Sequence, residues 1–276
     1  MELEKLIEAI TLEVIGNIDK KDFQGIYKRG DKYDESYAKY CDHTVLKAYT
    51  PQYIVKKFCD EAIKYKFASV CVNPIHVGFV SDQLKGTGIK TCCVIGFPLG
   101  ANKPQVKAFE ASEAIKDGAE ELDMVINIGA LRDGNLKLVF EDIKSVTDVA
   151  IGRAKVKVII ETCYLTDREK IVACIISKLA GADYVKTSTG FGSGGATVED
   201  VKLMLGVVGD TMRVKASTGI ETREDAQKMI QAGATRLGVS RSVHIVEGDT
   251  NIKIASLENQ VPITQDNSCK TCFINN

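Results

Sequence analysis

The stretch GADYVKTSTGFGSGG, at residues 181–195, carries a lysine at the end of a short apolar strand and a glycine-rich loop directly after it. Burial penalises the ammonium form of Lys186, and the neutral amine is a nucleophile for carbonyl carbon. The loop offers backbone N–H groups that can bind an anion. The alternative is structural, with Lys186 closing a salt bridge at the end of a buried strand.

Outward from this stretch, apolar strand-like runs alternate with helical patterns from Tyr40 onward. The predicted strands are residues 40–46, 68–73, 89–97, 121–127, 155–161, 183–188, 212–217 and 235–240. The predicted helices are residues 51–66, 74–84, 103–117, 135–151, 167–180, 197–208 and 223–232. This alternation predicts an α/β fold, a (β/α)₈ TIM barrel with right-handed crossovers.

Three helical patterns end in the same way before a strand, as KDGAE at 116–120, LAGAD at 179–183 and IQAGAT at 230–235. The glycine suits a left-handed helix end, and the alanine lets the returning chain pack closely. We therefore expect an internal repeat of the kind that builds a barrel.

The sequence divides into three predicted parts. Residues 1–39 form an N-terminal helix and a charged connector, residues 40–248 form the barrel, and residues 249–276 form a short tail. Residues 1–15 predict an amphipathic helix that packs against a larger body. Its apolar face consists of Leu3, Leu6, Ile7, Ile10 and Val14.

The charge balance argues against two classes of partner. Lys plus Arg total 36 and Asp plus Glu total 37, which gives a formal net charge of −1. Such a chain has no global field to attract nucleic acid or an anionic membrane. The acidic N-terminus is unlike a signal peptide, and no apolar run has the length of a membrane span. We expect a cytoplasmic protein that binds a small molecule and forms a homodimer or a higher homo-oligomer.

Most of the nine cysteines lie inside apolar strand or helix patterns, as reduced and buried side chains do. Cys269 and Cys272 have the spacing of a redox or metal pair, but they lack a second pair or a nearby histidine. His43, His76 and His244 show no metal-ligand spacing, and each is interpreted as a satisfied polar residue. We therefore predict neither a metal nor a cofactor.

Strand alternation groups three charged residues. If the side that carries Lys186 faces inward, Asp123 on the fourth strand and Lys215 on the seventh converge on it at the carboxyl ends of the strands. Two neighbouring lysines in a low dielectric cannot both stay protonated cheaply. The three residues therefore suit imine chemistry, with a carboxylate to move protons.

Seven segments, in order along the chain, resemble the deoxyribose-phosphate aldolase family. They are DHTVLK at 42–47, SVCVNP at 69–74, VIGFPLG at 94–100, ELDMVINIGAL at 121–131, ETCYLT at 161–166, VKTSTGF at 185–191 and VKASTG at 214–219. The resemblance extends from about residue 40 to residue 247. The seven segments together are specific, whereas any one of them would be weak.

The resemblance implies a class I aldolase that reversibly cleaves 2-deoxy-D-ribose 5-phosphate to D-glyceraldehyde 3-phosphate and acetaldehyde without a cofactor. Lys186 matches the Schiff-base lysine, Asp123 the proton-transferring aspartate, and Lys215 the second lysine. Asp42 matches a supporting residue near Lys215, and its alternative is a structural cap after the first strand. Two other functions stay open: a Schiff-base barrel aldolase for a different phosphorylated sugar, and a non-catalytic barrel that only binds.

The same resemblance places the substrate phosphate at the loops after strands six, seven and eight. The candidate phosphate-binding residues are Gly190, Gly219, Ile220, Gly238, Ser240 and Arg241. Where the family usually has two glycines and then an arginine, this chain has Thr218 and Glu221 around Gly219 and Ile220. We expect Arg241 either to bind the phosphate or to pair with Glu221. The alternative is that both side chains are merely solvated.

Overall fold

The computed structural model describes residues 2–18 and 37–248, and these contain a closed barrel of eight parallel strands in the order β1 to β8. The strands are β1 Cys41–Val45, β2 Ser69–Val72, β3 Lys90–Ile95, β4 Glu121–Val125, β5 Lys155–Ile159, β6 Tyr184–Lys186, β7 Arg213–Ser217 and β8 Ala234–Val239. The predicted (β/α)₈ barrel is therefore confirmed, and each predicted strand contains or overlaps an observed one.

Ten α-helices surround the strands or extend from them in the described part of the chain. They are α1 Glu2–Ile18, α2 Gln52–Tyr65, α3 Val77–Leu84, α4 Pro104–Lys116, α5 Ile128–Arg132, α6 Leu136–Ala150, α7 Asp167–Leu179, α8 Val198–Val208, α9 Arg223–Ala232 and α10 Ser242–Glu247. The sequence did not predict α5 and α10, because five or six residues are too few to show a helical period. The helix predicted from residue 74 starts as a 3₁₀ turn at Pro74–His76.

Local capping explains where several helices begin and end. Thr166 and Glu169 form a capping box at the start of α7, and Thr222 and Asp225 do the same for α9. The glycine of each predicted repeat, at 118, 181 and 233, has a positive φ of 106°, 84° and 112°. These values confirm the left-handed conformation that the three repeated helix ends predicted.

The apolar core lies between the strands and the helices, where the outward-facing residues of each strand are buried. On β4 these are Leu122 and Met124, and on β7 they are Val214 and Ala216. The inward-facing residues include charged side chains at Asp123, Lys157 and Lys215, all fully buried. The barrel interior is therefore a polar site enclosed by an apolar shell.

The N-terminal helix α1 packs mainly against α7 and also contacts α6. Ile7 is fully buried, and Glu8 accepts hydrogen bonds from Arg168 of α7 at 2.8 Å. The predicted apolar face is wrong at Leu6, which is 49% exposed, because the buried stripe runs through Ile7 and Thr11 instead. Residues 19–36 of the predicted connector and the tail at 249–276, with Cys269 and Cys272, fall outside the described residues.

The described helices were compared with the length and hydropathy that a membrane span needs. Within residues 2–18 and 37–248, none is long and apolar enough to cross a bilayer.

Candidate active site

Two lysines and one aspartate meet near the carboxyl ends of the strands. The register pairs Lys186 on β6 directly with Lys215 on β7, so both side chains point into the barrel. Lys186 Nζ lies 2.8 Å and Lys215 Nζ 2.6 Å from the same atom, Oδ2 of Asp123 on β4. The structure thus brings together the three residues that strand alternation grouped, although β4 and β6 are not adjacent.

Electrostatics in this cluster favour charged forms for Asp123 and Lys215. Burial alone would raise the pKa of Asp123, but the ammonium groups of Lys157, Lys186 and Lys215 hold it well below its usual range. Burial alone would lower the pKa of Lys215, but the carboxylates of Asp123 and Asp42 raise it above its usual value. Lys215 therefore keeps its proton. Of the two neighbouring lysines, one of which the sequence analysis expected to become neutral, Lys215 is the one that stays charged.

A third lysine, which sequence reasoning missed, lies in the same network. Lys157 Nζ of β5 lies 2.8 Å from Asp123 Oδ1, 2.7 Å from Glu121 Oε2 and 3.3 Å from Cys92 Sγ. Its ammonium thus leaves Lys186 and Lys215 to share the other oxygen of Asp123. The signal was present in the sequence, because Lys157 stands between two valines and has inward parity opposite Asp123.

Asp42 belongs to this network rather than to a cap after β1. Its Oδ2 lies 2.5 Å from Lys215 Nζ, and its Oδ1 accepts a hydrogen bond from Ser69 Oγ at 2.6 Å. Arg236 of β8 binds both Asp42 and Glu121, with Nε 2.9 Å from Asp42 Oδ1. The Lys215 ammonium therefore lies between the carboxylates of Asp42 and Asp123.

The interior network carries four cations and three carboxylates in its charged form. Its members are Lys157, Lys186, Lys215, Arg236, Asp42, Glu121 and Asp123. An unpaired charge in this environment would be costly, so each side chain depends on its neighbours. The excess of one positive charge favours loss of a proton from one lysine or the arrival of an anion.

The glycine-rich loop after β6 is anchored by Glu161, a buried residue with a left-handed φ of 56°. The Glu161 carboxylate accepts hydrogen bonds from the backbone N of Thr189 at 3.1 Å and from its hydroxyl. Thr189 Oγ1 in turn accepts from Phe191 N at 3.0 Å. This chain of bonds fixes the predicted anion loop at Gly190, which lies exposed beside it.

The loops after β6 and β7 lie against each other. A Cβ built on Gly190 would stand 3.1 Å from Thr218 Oγ1, and one on Gly195 would stand 2.4 Å from Thr218 O. Thr218 itself has a φ of 73°, a conformation that β-branched residues rarely adopt. Thr218 thus has the left-handed backbone conformation that a glycine adopts readily. It is followed by Gly219, which is exposed, and Ile220, which is buried.

The remaining phosphate candidates lie at the end of β8. Gly238 packs so closely that a Cβ there would be 2.8 Å from Ser217 Cβ and 3.1 Å from Lys215 Cε, so this glycine makes room for the lysine. Ser240 is exposed just beyond β8. Arg241 Nη1 donates to Glu221 Oε2 at 3.0 Å. The structure therefore contains the Arg241–Glu221 pair that was one of the two sequence expectations.

Among residues 2–18 and 37–248, one group of side chains could offer three ligand atoms to a metal ion: Cys71, Cys92 and Asp123. Asp123 Oδ1 and Cys92 Sγ are both within hydrogen-bonding distance of the Lys157 ammonium. A metal ion would have to displace that ammonium from both atoms in order to bind there. The donor set is therefore poorly suited to a resident metal.

His43 lies outside the barrel interior, between β1 and the helix layer. Its Nδ1 is 2.9 Å from Ser242 Oγ of α10, and its Nε2 is 2.7 Å from Glu61 Oε2 of α2. Burial lowers the pKa of His43, although the hydrogen bond to Glu61 acts in the opposite direction. This confirms the interpretation of His43 as a satisfied polar residue that ties three elements together.

Comparison with known proteins places these features in a family. A deoxyribose-phosphate aldolase of Geobacillus sp. (strain WCH70) is 58% identical over 217 residues, which cover 79% of this chain and 97% of that protein. One from Thermococcus gammatolerans is 59% identical over 217 residues, with 78% and 96% of the two chains covered.

Solved structures agree with the sequence relatives. A putative deoxyribose-phosphate aldolase from Coccidioides immitis aligns with a TM-score of 0.81 and 42% identity, covering 87% of this chain and 96% of that one. The deoxyribose phosphate aldolase from Aeropyrum pernix aligns with a TM-score of 0.73 and 32% identity over 77% and 90% of the two chains. The family model for DeoC/LacD aldolases matches residues 37–241, so the chain belongs to the DeoC/LacD family of aldolases.

Proposed function

We propose that this chain is a class I aldolase that reversibly cleaves 2-deoxy-D-ribose 5-phosphate to D-glyceraldehyde 3-phosphate and acetaldehyde through a Schiff base on Lys186. The family and the relatives at 58% and 59% identity support the reaction. The observation that carries the residue roles is the single oxygen of Asp123 that lies within 2.8 Å of both Lys186 and Lys215. These three groups supply an amine, a proton carrier and a fixed cation.

The first steps form the imine. The neutral amine of Lys186 attacks the aldehyde carbon C1 of the open-chain sugar, and loss of water gives a protonated imine. The amine nitrogen gives up one proton and keeps the other in the imine. The departing water takes the released proton together with a second one, which Asp123 accepted when Lys186 became neutral and now returns. The protonated imine then draws electrons from the adjacent carbon–carbon bond.

Cleavage and release complete the cycle. The C3 hydroxyl loses its proton through the Asp123 and Lys215 relay, the C2–C3 electron pair moves to form an enamine, and glyceraldehyde 3-phosphate leaves. The enamine takes a proton at C2, and water hydrolyses the resulting imine to acetaldehyde and free Lys186. Atoms and charge balance with no external oxidant or reductant.

The supporting groups hold this machinery in position. Asp42, 2.5 Å from Lys215 Nζ, keeps the second lysine protonated and aimed at Asp123. We assign the phosphate to the loops after β6, β7 and β8, with donors from Gly190, Gly219, Ile220 and Ser240 and with Arg241 beside them. Backbone N–H groups in such loops are suited to a phosphate group.

Three broader assignments belong to the same proposal. The barrel unit is taken as residues 40–248, with an N-terminal helical part at 1–39 and a tail at 249–276. We propose a homo-oligomer, because the related aldolase from Aeropyrum pernix is described as tetrameric. We propose a cytoplasmic location, since the seven cysteines that the structure describes are free thiols.

Two measurements test the proposal together. The purified protein should release glyceraldehyde 3-phosphate from deoxyribose 5-phosphate, and borohydride with acetaldehyde should add one ethyl group to the peptide that contains Lys186. Lys186→Arg should lose both, because a guanidinium supplies no free amine near neutral pH. Labelling of Lys215 instead would show that Lys215, and not Lys186, forms the imine. If the protein cleaves only a different phosphorylated sugar, that sugar is the substrate and deoxyribose 5-phosphate is not.

A further inference from the structure

Two of the phosphate candidates, Ser240 and Arg241, form the short segment between β8 and α10. The 240–241 segment lies between Val239, the last residue of β8, and Ser242, the first residue of α10. Val239 pairs with His43 in the register of β1 and β8. Ser242 Oγ lies 2.9 Å from Nδ1 of the same histidine. One residue of β1 therefore holds both ends of the segment.

The surroundings of the His43 ring fix its orientation. Phe58 of α2 stacks on it with 4.1 Å between ring centroids, and Phe67 contacts it with 5.0 Å between centroids. Nε2 of the ring lies 2.7 Å from Glu61 Oε2, also in α2. The histidine is buried, so the ring cannot turn away from Ser242 without breaking this packing and leaving Glu61 without its partner.

The direction of the two hydrogen bonds of His43 follows from the carboxylate of Glu61. A carboxylate only accepts, so the proton between the two side chains belongs to Nε2. Burial lowers the pKa of His43, so the ring is neutral near neutral pH and its Nδ1 carries no proton. Nδ1 therefore accepts the hydroxyl hydrogen of Ser242, because this contact is shorter than the alternative from the same hydroxyl to Val239 O at 3.3 Å.

The 240–241 segment has little other support. Arg241 Nη1 donates to Glu221 Oε2 at 3.0 Å, but Glu221 is exposed and such surface pairs contribute little. Arg241 O accepts from Ile245 N at 3.2 Å in the first turn of α10. Ser240 is exposed, and its side chain has no hydrogen-bond partner among residues 2–18 and 37–248. The position of both phosphate candidates therefore depends on how the two ends of the segment are held.

We propose that His43 is a positioning residue for the substrate phosphate, because through Ser242 it holds the 240–241 segment where its donors meet the phosphate. This inference rests on the proposed function, since it assumes that the segment binds the phosphate. His43 lies outside the barrel interior and acts on the substrate only through the segment. Its neighbour Asp42 faces the interior and contacts Lys215, so β1 serves both the reacting end and the phosphate end of the site.

The physical argument concerns the order of the segment before the phosphate binds. A bound phosphate requires its donors at hydrogen-bonding distance, about 2.7–3.2 Å. A segment that moves must be ordered when the phosphate binds, and that ordering lowers the affinity. The link from His43 to Ser242 orders the segment beforehand. Unphosphorylated deoxyribose has no phosphate for the segment to bind, so its KM should depend much less on this link.

Ser242→Ala tests the link with the smallest change in shape. Kd for inorganic phosphate is measured by calorimetry, and KM and kcat are measured for deoxyribose 5-phosphate and for deoxyribose. Kd for phosphate and the ratio of KM between the phosphorylated and the unphosphorylated sugar should each rise about 10-fold, as for one lost hydrogen bond. The effect should fall on KM rather than on kcat. Ser177→Ala, which removes an equally buried hydroxyl from α7, is the matched control and should leave both values as in the wild type.

Two substitutions of His43 separate positioning from loss of packing. His43→Asn places an amide where Nδ1 stands and can bond to Ser242, whereas His43→Gln places an amide near Nε2 and can bond to Glu61 instead. Both remove the ring that stacks on Phe58, so both should lower the free energy of unfolding. Only His43→Gln should show the full rise in Kd for inorganic phosphate, and His43→Asn should show a smaller one.

The outcomes separate this inference from the proposed function. If the wild type cleaves deoxyribose 5-phosphate and folded Ser242→Ala changes neither Kd for phosphate nor the KM ratio, the positioning role is wrong and the proposed function stands. Equal weakening of phosphate binding by the two His43 variants would assign the histidine a purely structural role, and Ser242→Ala decides alone if those variants do not fold.

The remaining outcomes concern the wild type. If it binds inorganic phosphate but does not cleave the sugar, weaker binding by Ser242→Ala supports the positioning role and the proposed substrate is wrong. If it neither binds inorganic phosphate nor prefers the phosphorylated sugar, the segment holds no phosphate and the positioning role is refuted.

Discussion

Lys186 and Lys215 share one oxygen atom, Asp123 Oδ2, at 2.8 and 2.6 Å. The sharing gives the two ammonium groups different surroundings, because Lys215 has a second carboxylate partner in Asp42 at 2.5 Å. The two carboxylates raise the pKa of Lys215. Asp123 therefore stands between a fixed ammonium group and the lysine that we assign to the imine, as a proton relay requires.

Asp123→Asn should abolish most of the activity. The amide cannot carry a proton between Lys215 and the substrate, so kcat should fall by about two to four orders of magnitude. The change also leaves three lysines without a carboxylate that each contacts. The free energy of unfolding should therefore fall by about 3–5 kcal/mol, as for other broken buried pairs. Steady-state kinetics and urea unfolding measure the two effects.

A second substitution separates chemistry from stability at this site. Asp123→Asn with Lys157→Met removes one buried cation along with the buried anion, so it should recover part of the unfolding free energy. It should recover none of the lost kcat, because no proton carrier has been restored. Recovery of turnover in the double variant would mean that Asp123 acts only through charge balance.

Glu161→Ala should weaken substrate binding through the glycine-rich loop. The change leaves the Thr189 N–H and hydroxyl without their buried acceptor, which costs about 1–3 kcal/mol when a donor stays unsatisfied. KM for deoxyribose 5-phosphate should rise about 10-fold, and KM for unphosphorylated deoxyribose should change much less. Glu161→Gln keeps an acceptor oxygen and should restore most of the affinity. Equal effects on both sugars would argue against a role in the phosphate loop.

His43 should make the protein less stable in mild acid. Because burial lowers its pKa, the unfolded chain takes up a proton on His43 at a higher pH than the folded chain does. The stability that the protein gains by burying a neutral His43 is fully present above a pH of about 6.5. It is lost as the pH falls from there towards the pKa of His43 in the folded protein. The urea midpoint of the wild type should decline over that window, and His43→Gln should show a smaller decline. His76→Gln, on a partly exposed 3₁₀ turn, serves as the control and should follow the wild type.

The alternation of strands and helices along the sequence was sufficient to predict the barrel. The alternation of inward and outward side chains within the strands was sufficient to predict that Asp123, Lys186 and Lys215 meet. Each of these residues alternates with apolar neighbours in a strand, so one assumption about the inward side placed all three. The same rule would have placed Lys157 and Arg236 inside. They were missed because they lie outside the segments that carry the family resemblance.

Other features could not be predicted because they depend on contacts between distant loops. Leu6 belongs to the apolar pattern of α1, but the way α1 lies on α7 leaves it 49% exposed. The contact between Phe97 and Phe191 joins segments that are 94 positions apart, and neither segment specifies it locally. Tertiary packing decides such cases, whereas local periodicity decides only the element and its inward side.

Arg241 and Glu221 should act as a pair at the phosphate end of the site. Arg241 Nη1 lies 3.0 Å from Glu221 Oε2, and the exposed setting of Glu221 makes the pair itself worth little stability. The pair affects substrate binding instead, because an unpaired Glu221 carboxylate beside the loop of Gly219 and Ile220 would repel the phosphate dianion.

Arg241→Ala should raise KM for deoxyribose 5-phosphate about 10-fold and leave KM for deoxyribose nearly unchanged. Adding Glu221→Gln should recover part of that loss, and a double-mutant cycle on KM measures the coupling. Strict additivity, or equal effects on the two sugars, would show that the pair does not serve the phosphate.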